Sequence, residues 1–203
     1  MFSIIKIFTL CFILQVMFFT PLIKLKAEEN FNSWLVSFKK YALTKGISQQ
    51  TINDTLKNVI YLEQVIKYDR KQPEFYEDTK TYVNKRANPR RVKEAIKLFK
   101  KNENLFNDVE NKFNVEKELL LALWGIETNF GKYVGKMDII SSLATLSYDM
   151  RRRDFFTSQL IILLELIDNK LIDPKSLYGS WAGAFGNFQF MPSTIKRYAI
   201  DFD

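Results

Sequence analysis

One carboxylate, Glu127, directly follows the apolar segment 119–126. The sequence after it, Thr128-Asn-Phe-Gly131, indicates that a helix ends here, so that the side chain of Glu127 projects into a cleft. Apolar neighbours such as Trp124, Ile126 and Phe130 would desolvate the carboxyl group and raise its pKa. A carboxyl group of this kind donates a proton near neutral pH. The sequence thus makes Glu127 a candidate general acid, and a surface glutamate at a helix terminus is the alternative.

A second block, residues 179–193, combines small residues with aromatic ones. Its small residues allow the backbone to approach a ligand or another helix closely. Its rings could stack on sugars; they are Trp181, Phe185, Phe188 and Phe190. Tight packing of a glycine-rich turn, with the rings in the core, explains the block equally well. Six of the seven glycines lie between Gly125 and Gly186, so we expect the chemistry in the last third of the chain.

The chain contains no histidine. This excludes Ser-His-Asp and Cys-His catalysis, HExxH zinc sites and every imidazole proton shuttle. The single cysteine, Cys11, lies in an apolar N-terminal stretch, so the rest of the chain forms no internal disulfide or thiolate metal site. We therefore expect acid–base chemistry by carboxylates, without a metal or another cofactor.

The N-terminal apolar stretch, residues 7–23, ends shortly before Ala27. This pattern predicts a secretory signal peptide over residues 1–27. An uncleaved membrane anchor is the alternative, because the run is long and because Lys24 and Lys26 stand where signal peptides have small neutral residues. We expect export in either case, to a periplasmic location, with membrane association through this segment under the second alternative.

The formal net charge is +7, from 30 Lys and Arg against 23 Asp and Glu. Such an excess suits an anionic polymer or a membrane surface. The basic residues are scattered, and the sequence contains no RNA-binding signature, zinc finger or basic helix. We therefore expect no nucleic-acid partner.

Apolar residues recur mostly three and four positions apart, which predicts an all-α fold. A first amphipathic helix is predicted over residues 31–44, with Gly46 as its stop. Ser48 is a candidate cap for a second helix that reaches about Val59, and Asn88 with Pro89 begins a third. Residues 155–167 are apolar almost all round, which is typical of a central buried helix.

The third helix is predicted to be long and to face the core with one apolar stripe. The stripe consists of Val92, Ile96, Phe99, Phe106, Val109 and Phe113. The segment 61–87 before it is predicted to be irregular, with a domain boundary near residue 87.

Taken together, four motifs resemble the lytic murein transglycosylase B family, peptidoglycan-cleaving enzymes with a lysozyme-like catalytic domain. The motifs are Trp124-Gly-Ile-Glu-Thr-Asn-Phe-Gly131, Ser142-Leu-Ala-Thr-Leu-Ser-Tyr-Asp149, Arg151-Arg-Arg-Asp-Phe-Phe156, and Gly179-Ser-Trp-Ala-Gly-Ala-Phe-Gly186 with Gln189-Phe-Met-Pro192. Weaker similarity extends through Asp69-Arg-Lys-Gln-Pro-Glu-Phe75 to about Phe31. The resemblance implies an N-terminal helical region over residues 28–87 and a lysozyme-like catalytic domain over 88–203.

By this resemblance, Glu127 is the single catalytic acid/base. The substrate-binding residues that the resemblance implies are Tyr82, Arg151, Arg152, Phe155, Ser180 and Gln189. The implied substrate is the peptidoglycan glycan strand, cut between N-acetylmuramic acid and N-acetylglucosamine with formation of a 1,6-anhydro ring. Because the sugar supplies its own hydroxyl as nucleophile, no second carboxylate is needed, unlike in ordinary glycosidases. Asp138, Asp149 and Asp154 are interpreted as solvated residues, helix caps or arginine partners.

The family pattern continues past the position of Phe202, so the resemblance implies a catalytic domain that is incomplete at its C-terminus. Asp201 and Asp203 have the spacing of the first two ligands of a calcium loop, but two acids without the rest of the loop predict no calcium site. Two alternatives to an active enzyme remain open at this point. One is a truncated, inactive helical protein that binds peptidoglycan, and the other is an envelope module in which Glu127 is structural.

Overall fold

The computed structural model describes residues 30–71, 78–200 and 202. The predicted signal segment 1–27 lies outside the described residues, as do Asp201 and Asp203. The chain divides into two compact units, up to Gly46 and from Ile47 onward. This division does not test whether residues 28–87 fold on their own, so the domain boundary near residue 87 stays a prediction.

The first unit is described from residue 30. It consists of one helix, α1, over residues 30–44, followed by a turn at Gly46 with a φ of 89°. Its aromatic residues meet along one side: the Trp34 ring stacks on Phe38 with a centroid separation of 5.2 Å. The helix and its glycine stop are therefore as predicted.

The second unit is almost entirely helical, which confirms the all-α prediction. Its helices are α2 (Gln49–Thr55), α3 (Glu63–Arg70), α4 (Thr79–Arg86), α5 (Pro89–Lys101), α6 (Glu103–Phe113), α7 (Lys117–Thr128), α8 (Ile139–Tyr148), α9 (Arg153–Asp168) and α10 (Pro192–Tyr198). Two strands of two residues each, β1 (Met137–Asp138) and β2 (Tyr178–Gly179), form an antiparallel pair. In the described part of the chain, no helix is both long and apolar enough to cross a membrane.

Side-chain caps fix where several helices begin. The Ser48 hydroxyl accepts a hydrogen bond from Thr51 N, and Asn88 Oδ1 accepts one from Arg91 N, as predicted for α2 and α5. Asp138 caps α8 through Ser141 N, which confirms one of the roles expected for this acid. The end of α2 differs from the prediction, because this helix stops at Thr55 and not near Val59.

The core centres on α8 and α9. Every residue of α8 from Ile139 to Ser147 is buried, and α9 buries Phe156 and all four of its leucines. Hydroxyl groups on α8 satisfy the backbone of the segment beside it: Ser141 Oγ accepts from Ile60 N at 3.2 Å, and Thr145 Oγ1 accepts from Leu62 N at 3.0 Å. The predicted central helix is confirmed in α9, while the equally buried α8 was not predicted.

The predicted long third helix is in fact two helices. Asn102 separates α5 from α6, and its side-chain Nδ2 donates to the Leu98 carbonyl at 3.0 Å. An asparagine side chain that bonds to nearby backbone competes with helix hydrogen bonding and favours a break.

The predicted core stripe of this region is also wrong. No residue of α5 or α6 is buried, and both Val92 and Ile96 are 52% exposed. Periodicity shows which side of a helix is apolar, but it does not show whether the described chain covers that side.

The segment 61–87 is not irregular where the structure describes it. It forms α3, which buries Val65 and Asp69, and α4, which Asp78 caps through Thr81 N at 3.0 Å. Both helices are eight residues long, so each offers only about two turns of periodicity for recognition.

Candidate functional site

The end of α7 presents Glu127 at a rigid turn. The helix finishes at Thr128, and Asn129 and Phe130 follow with φ values of 50° and 60°. Thr128 is buried; its Oγ1 donates to the Asn187 carbonyl at 2.9 Å and accepts from Gly131 N at 3.0 Å. The predicted helix end is therefore present, and a buried hydroxyl holds the turn that follows Glu127.

The apolar walls expected around Glu127 are not built by the described residues. Trp124 and Phe130 pack edge to face against each other at 5.7 Å, and Phe130 is buried. Ile126 lines a groove between α5 and α7. Glu127 itself is exposed, and no hydrogen bond or ion pair involves it within the described residues. The carboxyl group is thus open to a ligand instead of enclosed by the protein.

Ser180 and Gln189 lie in the same loop, residues 179–190, and help to shape it. Ser180 N donates to the Ala184 carbonyl at 2.8 Å, and Ser180 Oγ accepts from Ala184 N at 3.0 Å. Gln189 Nε2 donates to the carbonyl of Val134 at 3.0 Å and to that of Gly186 at 2.9 Å. Their side chains therefore fix the loop and join it to the segment after α7.

Asn187 links this loop to the last turn of α7. Its Oδ1 accepts from Trp124 Nε1 at 3.1 Å, while its carbonyl accepts from Thr128. Two rings of the loop, Phe188 and Phe190, stack at 6.0 Å, and Phe190 is partly exposed. The structure thus brings the helix end that carries Glu127 together with the loop of Ser180 and Gln189.

Arg151 and Arg152 converge on a buried carboxylate, Asp69, which is 2% exposed. Arg151 Nε and Nη2 donate to its two oxygens at 2.8 and 2.7 Å, and Arg152 Nη2 donates to Oδ1. Arg70 Nη1 adds a contact of 2.6 Å. Arg153 donates instead to the Tyr148 carbonyl at 2.7 Å, so Asp69 is shared by Arg151 and Arg152 within the run of three arginines.

The electrostatics of this cluster follow from its contacts. Burial alone would raise the pKa of Asp69, but hydrogen bonds and charge from Arg151 and Arg152 outweigh it and hold the pKa below its ordinary value. Asp149 binds Arg70 Nη2 at 2.8 Å, as expected for an arginine partner. Three arginines against two carboxylates leave an excess of positive charge, and the Arg151 and Arg152 side chains stay 45% and 38% exposed.

Tyr82 and Phe155 are partly exposed, and each contacts a side chain of its own helix. The Arg86 guanidinium stands 3.7 Å from the centre of the Tyr82 ring on α4. Phe155, at the start of α9, is 48% exposed and contacts Phe156 edge to face. Across the part of the chain that is described, no hydrogen bond, ion pair or ring contact joins Tyr82, Phe155 or the arginine pair to Glu127.

Two residues that organise the site were not predicted, namely Asp69 and Asn187. Asp69 lies within a segment that carries the family resemblance, and Asn187 lies between two such motifs, after Gly186 and before Gln189. A buried charge needs a charged partner, so an acid beside the arginines could be expected. The sequence spacing does not show which acid binds these arginines, because Asp69 precedes Arg151 by 82 residues. Of the His, Cys, Asp and Glu residues that the structure describes, no three are grouped so as to hold a metal ion.

Comparisons with known proteins agree with the sequence motifs. The family model described as the transglycosylase SLT domain matches residues 30–203. The chain is 36% identical over 122 residues to the membrane-bound lytic murein transglycosylase B of Escherichia coli (strain K12), covering 60% of this chain and 34% of that protein.

Two solved structures resemble the fold. SltB3 from Pseudomonas aeruginosa, in complex with NAG-NAM-pentapeptide, matches with a TM-score of 0.82 and 34% identity, covering 85% of this chain and 46% of its own. Escherichia coli Slt35 in complex with bulgecin A matches with a TM-score of 0.73 and 30% identity, covering 86% of this chain and 55% of the Slt35 chain. The chain thus spans between about a third and about a half of the length of these relatives.

Proposed function

Because this chain belongs to the transglycosylase SLT domain family, which its residues 30–203 match, we propose that it is a lytic transglycosylase acting on peptidoglycan. The lysozyme-like fold that the sequence motifs implied is confirmed by the structural relatives. The observation that carries the proposal is the exposed Glu127 carboxyl group at the end of α7, beside a loop that Asn187 ties to the same helix. Related proteins have been crystallised with NAG-NAM-pentapeptide and with NAG-anhNAM-pentapeptide, which supports a glycan substrate of this kind.

In the proposed mechanism, Glu127 works alone. Its protonated carboxyl group donates to the glycosidic oxygen between N-acetylmuramic acid and N-acetylglucosamine, and this bond breaks. The resulting carboxylate accepts the proton of the muramic C6 hydroxyl, whose oxygen bonds to C1 and closes the 1,6-anhydro ring. One carboxyl group suffices because the nucleophile belongs to the sugar and no water has to be positioned.

The remaining site residues are proposed to bind the glycan. Arg151 and Arg152 are oriented by Asp69 and keep exposed side-chain surface, which is proposed to meet carboxylate or carbonyl oxygens of the substrate. Tyr82 and Phe155 offer exposed ring surface for sugars. Ser180 and Gln189 are proposed to present the loop of residues 179–190 to the saccharide, since their side chains fix its conformation.

Export belongs to the same proposal, because peptidoglycan lies outside the cytoplasmic membrane. The predicted signal segment 1–27 supports it. The relative named membrane-bound lytic murein transglycosylase B supports a location at the membrane. We propose a periplasmic enzyme, with attachment to the membrane decided by whether residues 1–27 are cleaved.

The test is to incubate the chain with isolated peptidoglycan and to analyse the released muropeptides by mass spectrometry. We expect 1,6-anhydromuramic products from the unaltered chain and a loss of about a thousandfold with Glu127→Gln, because general acid–base catalysis contributes on this scale. Glu103→Gln is the matched control, since Glu103 is likewise an exposed helical glutamate, on α6, and lies outside the groove between α5 and α7. This variant should keep its full rate.

Two results would contradict the proposal. Products with ordinary reducing ends would indicate hydrolysis, and anhydro products at an unchanged rate from Glu127→Gln would remove Glu127 from the mechanism. No product together with sedimentation on the polymer would favour the alternative, a helical protein that binds peptidoglycan without cutting it.

A further inference from the structure

The backbone directly after α7 takes an unusual conformation. Asn129, Phe130 and Gly131 have φ values of 50°, 60° and 78°, so that three successive residues are left-handed. This conformation is unfavourable for residues other than glycine, because their Cβ atom approaches the following carbonyl oxygen. Two of the three residues carry a Cβ atom, so the turn persists only where surrounding contacts fix it.

The side chain of Thr128 supplies two such contacts. Its Oγ1 accepts a hydrogen bond from Gly131 N at 3.0 Å and donates to the Asn187 carbonyl at 2.9 Å; the Trp124 carbonyl is farther away, at 3.3 Å. Thr128 is 1% exposed, so water does not replace its hydroxyl group. A single buried hydroxyl group thus joins α7, the left-handed turn and the loop of residues 179–190.

Asn187 makes a second bond to α7, one turn before the first. Its Oδ1 accepts from Trp124 Nε1 at 3.1 Å. Trp124 and Thr128 are four residues apart, so their side chains lie on the same face of the helix. The loop therefore contacts the last turn of α7 at both ends, and Glu127 lies within this turn.

The position of the Glu127 side chain follows from this arrangement. Successive residues of an α-helix are rotated by about 100°, so Glu127 and Thr128 point to different sides of α7. The carboxyl group of Glu127 is exposed, and no hydrogen bond or ion pair within the described residues holds it. Its position is thus set by the backbone of the last turn, which Thr128 and Asn187 hold in place.

We propose that Thr128 and Asn187 are positioning residues for Glu127, whose carboxyl group is aimed at the glycosidic oxygen only while the loop of residues 179–190 is docked on α7. The catalytic part of this assignment rests on the function proposed above. Because Ser180 and Gln189 belong to the same loop, the consequence is that binding of glycan to the loop and placement of the acid are linked.

A buried hydroxyl group elsewhere in the core separates positioning from stability. Thr145 on α8 is 0% exposed, and its Oγ1 accepts from Leu62 N at 3.0 Å. Thr145→Val and Thr128→Val make the same change, from a buried hydroxyl group to a methyl group, and each removes a bond to a backbone N–H. Both should lower the midpoint of thermal unfolding, because each leaves a polar group without its partner.

The first measurement is the rate at which the full chain releases anhydromuramic product from soluble glycan strands. In Thr128→Val, kcat should fall at least about tenfold while KM changes less than about threefold, because a misplaced acid affects the transition state more than substrate binding. Thr145→Val should keep both constants. Thr128→Ser keeps the hydroxyl group and should retain kcat within about twofold. Asn187→Ala removes the bond to Trp124 but keeps the carbonyl, so its kcat should lie between these values.

The second measurement does not depend on cleavage. Amide hydrogen exchange, followed residue by residue by NMR, reports whether the bond from Gly131 N to Thr128 is kept. Thr128→Val should speed the exchange of Gly131 at least about tenfold relative to Thr145→Val, a comparison that removes the effect of lower overall stability. In Thr128→Ser, Gly131 should exchange as it does in the unaltered chain.

An unchanged kcat in Thr128→Val, or an equal loss in Thr145→Val, would overturn the assignment without affecting Glu127, whose role Glu127→Gln tests separately. Unchanged exchange at Gly131 in Thr128→Val would overturn it whether or not the chain is active. In a chain that releases no anhydro product, faster exchange at Gly131 in Thr128→Val alone would support the hold on the turn and contradict only the proposed enzymatic function.

Discussion

At the residue scale, the two acids at the centre of the proposed site differ in burial. Glu127 is exposed, whereas Asp69 is buried and contacts three arginines. A buried carboxylate is tolerated only when charged partners replace water around it. Asp69 therefore fixes the side chains of Arg151 and Arg152, the two arginines proposed to bind the substrate.

Asp69→Asn should lower the free energy of unfolding by about 2 kcal/mol at neutral pH. The reason is that the variant leaves partly buried arginines without their counter-charge, while their remaining exposure keeps the cost below that of a fully buried pair. Urea unfolding gives the value. Asp149→Asn is the matched control and should cost less, because Asp149 is less buried and forms its ion pair with one arginine, Arg70, while also accepting from Arg151 N. An equal cost for the two variants would contradict a special role for Asp69.

The difference in unfolding free energy between the unaltered chain and Asp69→Asn should depend on pH. Since the pKa of Asp69 is lower in the folded chain than its ordinary value of 3.8, the stability that it contributes is fully present above that value. It is lost as the pH falls through the folded pKa, where the carboxylate becomes protonated. The difference in unfolding free energy between the unaltered chain and Asp69→Asn should thus be constant from pH 7 to about pH 5 and shrink below pH 4. A difference that grew on acidification would refute this sign.

At the scale of elements, the glycine-rich loop depends on one close contact with α8. Gly183 has a φ of 93°, and a Cβ atom at this position would overlap the Leu143 side chain in the core. Gly186, in the same loop, has a φ of 77° but open space around it. The loop can therefore approach α8 only because residue 183 has no side chain.

Gly183→Ala should lower the midpoint of thermal unfolding far more than Gly186→Ala. Both substitutions carry the strain of a left-handed backbone, about 1 kcal/mol, but only the first adds overpacking of about 2 kcal/mol against a buried leucine. Circular dichroism melting curves of the two variants measure the difference. Matching melting temperatures would mean that the loop does not dock on α8 as described.

Elements also show where inference from sequence succeeds and where it fails. The capped starts at Ser48 and Asn88 and the buried helix α9 were predicted, because caps and dense apolar patterns are local signals. The break at Asn102 was missed, since a single side-chain hydrogen bond to Leu98 decides it. The helix end at Glu127 was found in the same local way, but its exposure depends on where distant segments lie.

At the scale of the whole molecule, the second unit has one side with a complete core and another with uncovered apolar surface. Leu160 on α9 is fully buried, whereas Ile96 on α5 is 52% exposed. The sequence pattern predicted that both residues face the core, because α9 is apolar almost all round and α5 has an apolar stripe. Whether a helix face is buried depends on which segments pack against it, and these segments can be distant in sequence. Asp69 and Arg151, for example, are in contact although they lie 82 positions apart.

Leu160→Ala should cost about 3 kcal/mol, and Ile96→Ser should cost about 1 kcal/mol or less. The first removes buried methyl groups and leaves a cavity, while the second removes a side chain that is already half in water. Chemical denaturation of the full chain compares them. A large cost for Ile96→Ser would show that α5 is covered in solution.

The fluorescence of Trp124 can report whether the loop of residues 179–190 is docked on α7, because Asn187 of this loop binds the indole N–H. The indole N–H of Trp124 donates to the side chain of Asn187, and the buried Thr128 donates to its carbonyl, so the environment of this indole depends on whether the loop is docked on α7. The chain has three tryptophans, and changing Trp34 and Trp181 to phenylalanine would leave a single fluorophore at this joint. Undocking would hydrate the Trp124 ring and shift its emission to the red, so that movement of the loop during the proposed binding of glycan could be followed in real time.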